Sequence, residues 1–169
     1  MTLTPELQSL LDRDAIRNVV LRICRAMDRA DIDLFRSCYH DDAWDDHGYY
    51  KGPVANFKPQ SIFRPPHVKS VMHLIGNILI DLEGDTAWSE AYYLAYSRAI
   101  QNGTEKDSVF GGRYFDRFER RGGVWKIAHR TTIYDWTRVD PVAQIVAMPG
   151  AVEGCASRSD PSYRRASGP

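Results

Sequence analysis

Between His67 and Trp136 the chain keeps a period of two through four long runs, and the turn residues between them leave few folds open. Residues 71–82 make a first strand, Gly84-Asp85 a turn, and Thr86 to Ile100 a second strand. Gln101 to Asp107 reads as a polar loop, Val109 to Arg120 as a third strand, Gly122-Gly123 as a hairpin turn, and Val124 to Trp136 as a fourth strand. On that last strand Val124, Lys126, Ala128, Arg130, Thr132, Tyr134 and Trp136 share one face. An antiparallel meander of this length has to cover one of its faces.

The residues ahead of it supply the cover. Thr4-Pro5-Glu6 is a start signal for a short helix carrying Leu7, Leu10 and Leu11, and a second start at Asp12 or Asp14 opens the main helix. There Ile16, Val19, Val20, Ile23 and Met27 recur at intervals of three and four, an apolar stripe that must face a sheet or another helix. Asp31 caps a further short helix through Ile32, Phe35 and Cys38. Helices grouped on one face of a meander give an α+β class. The expected architecture is a cone-like α+β barrel: a strongly curved antiparallel sheet with N-terminal helices packed on it around an apolar pocket. One domain spans residues 1–141. Residues 142–169, rich in Gly, Ser, Arg and Pro, form a tail that is either unstructured or laid along a neighbouring subunit.

The 22 basic and 22 acidic side chains cancel, so no net field favours a nucleic acid. No apolar run approaches the roughly 20 residues that cross a bilayer, and no signal peptide is visible, so a soluble cytoplasmic protein is expected. Cys24, Cys38 and Cys155 are odd in number and lack ligand spacing, as for reduced thiols. His40 and His47 stand among Asp41, Asp42, Asp45 and Asp46, but adjacent acids on an extended chain point to opposite sides. That argues against a metal site, and no metal or other cofactor is expected.

Chemistry concentrates on His73. A histidine on a buried strand face is either hydrogen-bonded or there to react. With Ile75, Asn77, Leu79 and Asp81 it shares one face, opposite Met72, Leu74, Gly76, Ile78, Ile80 and Leu82. Asp28 flanks the helix stripe beside Val20 and Cys24, in a last turn where the macrodipole disfavours an acid by about 0.3–1 kcal/mol. Its partner is a neighbouring arginine, Arg25 or Arg29, or it is His73. A carboxylate on one ring nitrogen would fix the tautomer and make a general base of the other, contributing roughly 100- to 10,000-fold in rate. Arg130 would polarise a leaving oxygen or pair with a nearby acid. Nine tyrosines, six phenylalanines and four tryptophans suit both a core and a wall for a flat ligand. The wall candidates are Tyr49, Tyr50, Phe57, Trp88, Tyr96 and Tyr134. Pro53 to Pro66, anchored by Phe57, Ile62 and Phe63, reads as a lid or as a surface connection. Nucleophile elbow, phosphate loop, dinucleotide fingerprint and Cys-x-x-Cys are all missing, which leaves cofactor-independent proton chemistry.

Three segments carry a resemblance: Arg25 to Asp31, His73 to Asn77, and Gly111 to Arg121 with Gly123 to Ile127. From about Asp14 to Pro141 the sequence resembles the SnoaL-like branch of the nuclear-transport-factor-like superfamily. That branch includes polyketide cyclases, scytalone dehydratase, hexachlorocyclohexane dehydrochlorinase, bile acid 7α-dehydratase and diarylpropane γ-formaldehyde lyases. The resemblance implies an Asp–His dyad on Asp28 and His73, with a helper arginine on Arg130. It further implies a lyase acting on a hydrophobic aromatic or polycyclic alcohol, by loss of water or formaldehyde, in a homo-oligomer of two or three chains. Two alternatives share the fold: a non-catalytic small-molecule-binding or dioxygenase β-subunit-like protein, and a ketone isomerase or cyclase. One position departs from the pattern. Five residues before the acid, where bile acid and hexachlorocyclohexane enzymes carry Tyr or Lys, this chain has Ile23, so that acid is either absent or supplied elsewhere, with Tyr49, Tyr50 and Tyr96 as the candidates.

Overall fold

A computed structural model describes residues 4–57, 65–142, 146 and 148–164. The two expected N-terminal helices are one: α1 runs unbroken over Pro5–Arg29, capped by the Thr4 hydroxyl accepting from the Leu7 N–H. Asp12 is not a second start. It is a buried acceptor in mid-helix, bonded by the Trp125 indole N–H at 2.9 Å and by Arg120 at 3.0 Å, which ties α1 to the sheet. The helix ends at Ala30, a residue with φ +50° whose N–H reaches back to the carbonyls of Ala26 and Met27. Asp31 then caps α2 (Ile32–Ser37).

Six strands follow: β1 Tyr39–Asp46, β2 Lys51–Pro53, β3 Val68–Glu83, β4 Thr86–Gln101, β5 Thr104–Arg121 and β6 Val124–Pro141. Their order in the sheet is β2-β1-β6-β5-β4-β3. The last four form the expected meander, but β1 pairs parallel to β6, so the sheet is mixed, and it stays open with β2 and β3 at its edges. Two helices packed on this curved sheet make a cone-like α+β fold.

The expected polar loop at 101–107 is a two-residue turn. Asn102 and Gly103, with φ of +52° and +76°, join strands whose pairing continues to Gln101 and Thr104. Asn-Gly is favoured there because both positions need positive φ. Residues 104–107 are the first of β5, and Arg98 and Asp107 pair there at 2.7 Å.

Bulges break the simple alternation. A register shift between Ile75 and Ile78 swaps the faces of β3: His73 and Ile75 point inward, then Ile78, Ile80 and Leu82, while Met72, Leu74 and Leu79 are exposed. Two shifts do the same on β6. Trp125 and Ile127 face the core before the first, Arg130 and Thr132 after it, and the second sends Trp136 to the outer face, against Gly111. The outer face thereby exposes Met72, Leu74, Tyr92, Leu94 and Trp136.

Helix α1 runs along the β3 edge and holds it at two points. Arg13 donates to the Ile80 carbonyl, and Asp28 accepts from the His73 N–H at 3.1 Å. The lengths match: from Arg13 to Asp28 the helix rises about 22 Å, and from Ile80 to His73 the strand spans about 23 Å. The segment 155–164 docks on its own chain at the α1–α2 junction. Arg158 and the Tyr163 hydroxyl donate to Asp31, and Arg25 lies 4.7 Å from the Tyr163 ring centroid. No described helix is long and apolar enough to cross a membrane.

Candidate active site

Asp28 is placed by the helix stripe, four residues on from Cys24 and eight from Val20, both buried. His73 is placed by the edge strand. Its backbone N–H points away from β4 toward the helix, so one carboxylate serves twice: Oδ2 accepts that N–H, and Oδ1 lies 2.6 Å from Nδ1 of the same residue. The second hydrogen bond holds the ring in place, with the proton of the neutral form on Nδ1 and Nε2, which has no hydrogen-bond partner among the described residues, able to accept another. Both side chains are about nine-tenths buried.

His73 lies in the wall of a cavity of about 370 Å³ between α1 and the concave face of the sheet. Met27, Val71, Ala95 and Phe110 make it apolar, and Tyr49, Tyr93, Tyr114 and Tyr134 carry phenols to it. Burial pushes all four phenol pKa values up, so they face the cavity as O–H groups at neutral pH. The hydroxyls of Tyr93 and Thr132 are buried in this wall with no hydrogen-bond partner among the described residues.

Of the aromatic candidates, Tyr49 and Tyr134 line the cavity. Tyr96 lines it too, but its hydroxyl is committed to Asp107 at 2.6 Å. Tyr50, Phe57 and Trp88 are not in the wall. Tyr50 bonds the Pro53 carbonyl and sets its ring edge-on against Phe57, which is buried against Phe35. Trp88 alternates with the inward Ala87 and Ser89, so it points to the opposite face. In the expected lid, Val54–Asn56 forms one 3-10 turn; Ile62 and Phe63 lie outside the described residues.

Arg130 also stands apart from the cavity wall. It is wholly buried and joined through Nε and Nη2 to both oxygens of Asp116, each at 2.7 Å. Its guanidinium carbon lies 4.2 Å from the centroid of Tyr114, whose ring does line the cavity. Burial opposes its charge, but Asp116, with Tyr39 and Tyr114, outweighs it and holds the pKa well above the ordinary guanidinium value. The ion-pair alternative for Arg130 is the one realised.

One pair was not foreseen from sequence. His47, just after β1, is hydrogen-bonded through Nδ1 to the wholly buried Asp45, and its ring lines the same cavity as His73. The signal was the alternation Ala43, Asp45, His47, which puts acid and imidazole on one inward face. Asp46 points outward to Lys51 and Asp42 to Arg121, and no three His, Cys, Asp or Glu side chains converge as metal ligands among the described residues.

A model of the SnoaL-like domain matches residues 8–131. The chain belongs to that family. Among solved structures, this SnoaL-like protein is similar to LinA, with 23% identity and a TM-score of 0.72 over 86% of this chain and 99% of the other. The LinA-type3 hexachlorocyclohexane dehydrochlorinase of Novosphingobium barchaimii gives 21% and 0.69, over 85% and 99%. A candidate scytalone dehydratase of Novosphingobium aromaticivorans gives 18% and 0.68, over 86% and 97%. At such identities the likeness is one of fold. No curated protein matches the sequence.

Proposed function

We propose that this SnoaL-like protein is a cofactor-independent lyase in which His73, oriented by Asp28, is the general base. The observation that carries the reading is the double hydrogen bond from His73 to one Asp28 carboxylate, with the other ring nitrogen left to an apolar cavity. A base so held keeps its orientation as it takes a proton, and the carboxylate stabilises the imidazolium that results. The phenols around it, and the unpartnered Tyr93 and Thr132 hydroxyls, suit a flat aromatic substrate carrying hydroxyl groups. The net reaction is elimination, as loss of water from an aryl alcohol or of formaldehyde from a diarylpropane diol. Relatives described as a dehydrochlorinase and a candidate scytalone dehydratase are consistent with that class. The same reading takes the exposed outer sheet face, with Leu74, Leu94 and Trp136, as the place where copies of the chain meet.

The experiment incubates wild type and His73→Ala, without cofactor, with aryl alcohols including a diarylpropane diol. New conjugation is followed by absorbance and formaldehyde is trapped. Turnover in wild type that is lost in a folded His73→Ala is the expected result. Equal rates in the two proteins, or no turnover with both folded, would overturn the reading.

A further inference from the structure

His73 occupies one part of the cavity wall, and His47 remains unused. His47 is 6% exposed, and its Nδ1 is bonded to Asp45, whose other oxygen accepts the Tyr39 hydroxyl. The ring is wedged between Tyr49, Phe57 and Tyr114, with centroids 5.9–6.3 Å away. Its Nε2 has no hydrogen-bond partner among the described residues. Asp45 is one end of a buried row. Across the sheet it stands in register with Arg130, and Arg130 with Asp116, all three wholly buried. Two carboxylates and one guanidinium leave that row with a net negative charge, which burial disfavours. An imidazolium at His47 brings it to neutrality. In that form one N–H goes to Asp45, and the other, on Nε2, is available to the cavity.

We propose that His47, held by Asp45, is the acid of this site and protonates the departing oxygen of an alcohol substrate; this rests on His73 being the base. His73 Nε2 takes a proton from carbon, and the electrons of that C–H bond become the new π bond. The C–O bond breaks with its pair on oxygen, His47 passes its Nε2 proton to that oxygen, and water leaves. His47 ends neutral and His73 protonated, and exchange of one proton with solvent at each resets the pair. The assignment fills the role left open at Ile23. It also selects a substrate class: an alcohol needs a proton to leave, whereas a halide does not.

Two benzisoxazoles separate the roles. In each, a base removes the C3 proton, the N–O bond breaks and a 2-cyanophenol forms. The aryl oxide from 5-nitro-1,2-benzisoxazole departs readily without a proton, and that from unsubstituted 1,2-benzisoxazole much less so. His73→Gln is expected to slow both by about 100-fold or more. His47→Gln is expected to slow the unsubstituted probe at least about tenfold more than the nitro probe. An equal effect of His47→Gln on the two overturns the acid role. If wild type opens neither probe faster than His73→Gln, the base reading fails, and His47 is judged separately in the unmutated cavity. There, nitrogen-edited NMR of the histidine side chains is recorded as 4-nitrophenol is added. A shift of the His47 Nε2 resonance, retained in His73→Gln, supports a donor to bound oxygen; no shift at His47 overturns it.

Discussion

Arg130→Met tests whether Arg130 holds the fold or performs chemistry. The substitution removes two charge-assisted hydrogen bonds of 2.7 Å and the stacking over Tyr114, and strands Asp116 in a site with no solvent exposure. Removing one partner of a buried pair costs about 3–5 kcal/mol, because the remaining charge is left unpaired. For a domain of this size, each kcal/mol lowers Tm by about 2–4 °C, so a fall of roughly 6–20 °C is expected. The double variant Arg130→Met/Asp116→Leu removes both charges and leaves Asp45 with His47 and the Tyr39 hydroxyl. It should recover most of the loss, since an apolar pair of similar volume is often neutral or better. Thermal melts by circular dichroism, with urea titrations, measure both, and turnover is read on the same samples. A single-variant loss below about 1 kcal/mol would mean the pair is not isolated from water as described. A double variant that is stable yet inactive would return Arg130 to the chemistry.

Asp28→Asn keeps the shape but replaces one acceptor oxygen with an N–H group facing the two His73 donors; turnover should fall by about 100- to 10,000-fold with little change in far-ultraviolet signal, and a loss under tenfold would sink the dyad. Gly112→Ala would put a methyl group 2.0 Å from the Ile133 carbonyl oxygen, so a loss at the upper end of about 1–3 kcal/mol is expected in denaturant melts, and an unchanged midpoint would contradict the β5–β6 register. The tail should release in acid. The Ser162 hydroxyl, with the N–H groups of Cys155 and Ser162, holds the Asp160 carboxyl down to about 2, below its unfolded value near 3.9. Its contribution is therefore complete above pH 4 and lost as pH falls toward 2. Amide exchange at Cys155, corrected for the intrinsic rate, should rise across that window; constant protection would refute the docking.

The parts of this protein legible in sequence were those governed by local period and by short reach. The stripe from Ile16 to Met27 and the alternation after His67 gave the layers, and the flank position of Asp28 brought it within range of His73. Bulges near Gly76, Ala128 and Asp135 were not legible, because a bulge is set by cross-strand partners and not by the run that contains it. Missing them puts Ile78, Ile80 and Leu82 on the wrong side relative to His73, and Trp136 on the wrong side relative to Arg130. Arg130 was placed on the correct inward face, yet its neighbour Asp116 lies on another strand, and only their register shows that the charge is already matched. His47 is hard to read from sequence because four acids stand within six residues of it, and only the fold shows that Asp45 is the one turned inward to pair with it.

The Asp28 carboxylate also guards a border. Strand β3 ends the sheet, and the exposed Met72 and Leu74 flank the backbone N–H that Asp28 occupies. An open, apolar strand edge is a template on which a second chain can add. A variant that loses this acid would uncover that edge while silencing the base, so light scattering should rise in the protein whose turnover falls. Selection against aggregation and selection for turnover would then act on the same side chain, which leaves position 28 less room to change than either pressure would alone.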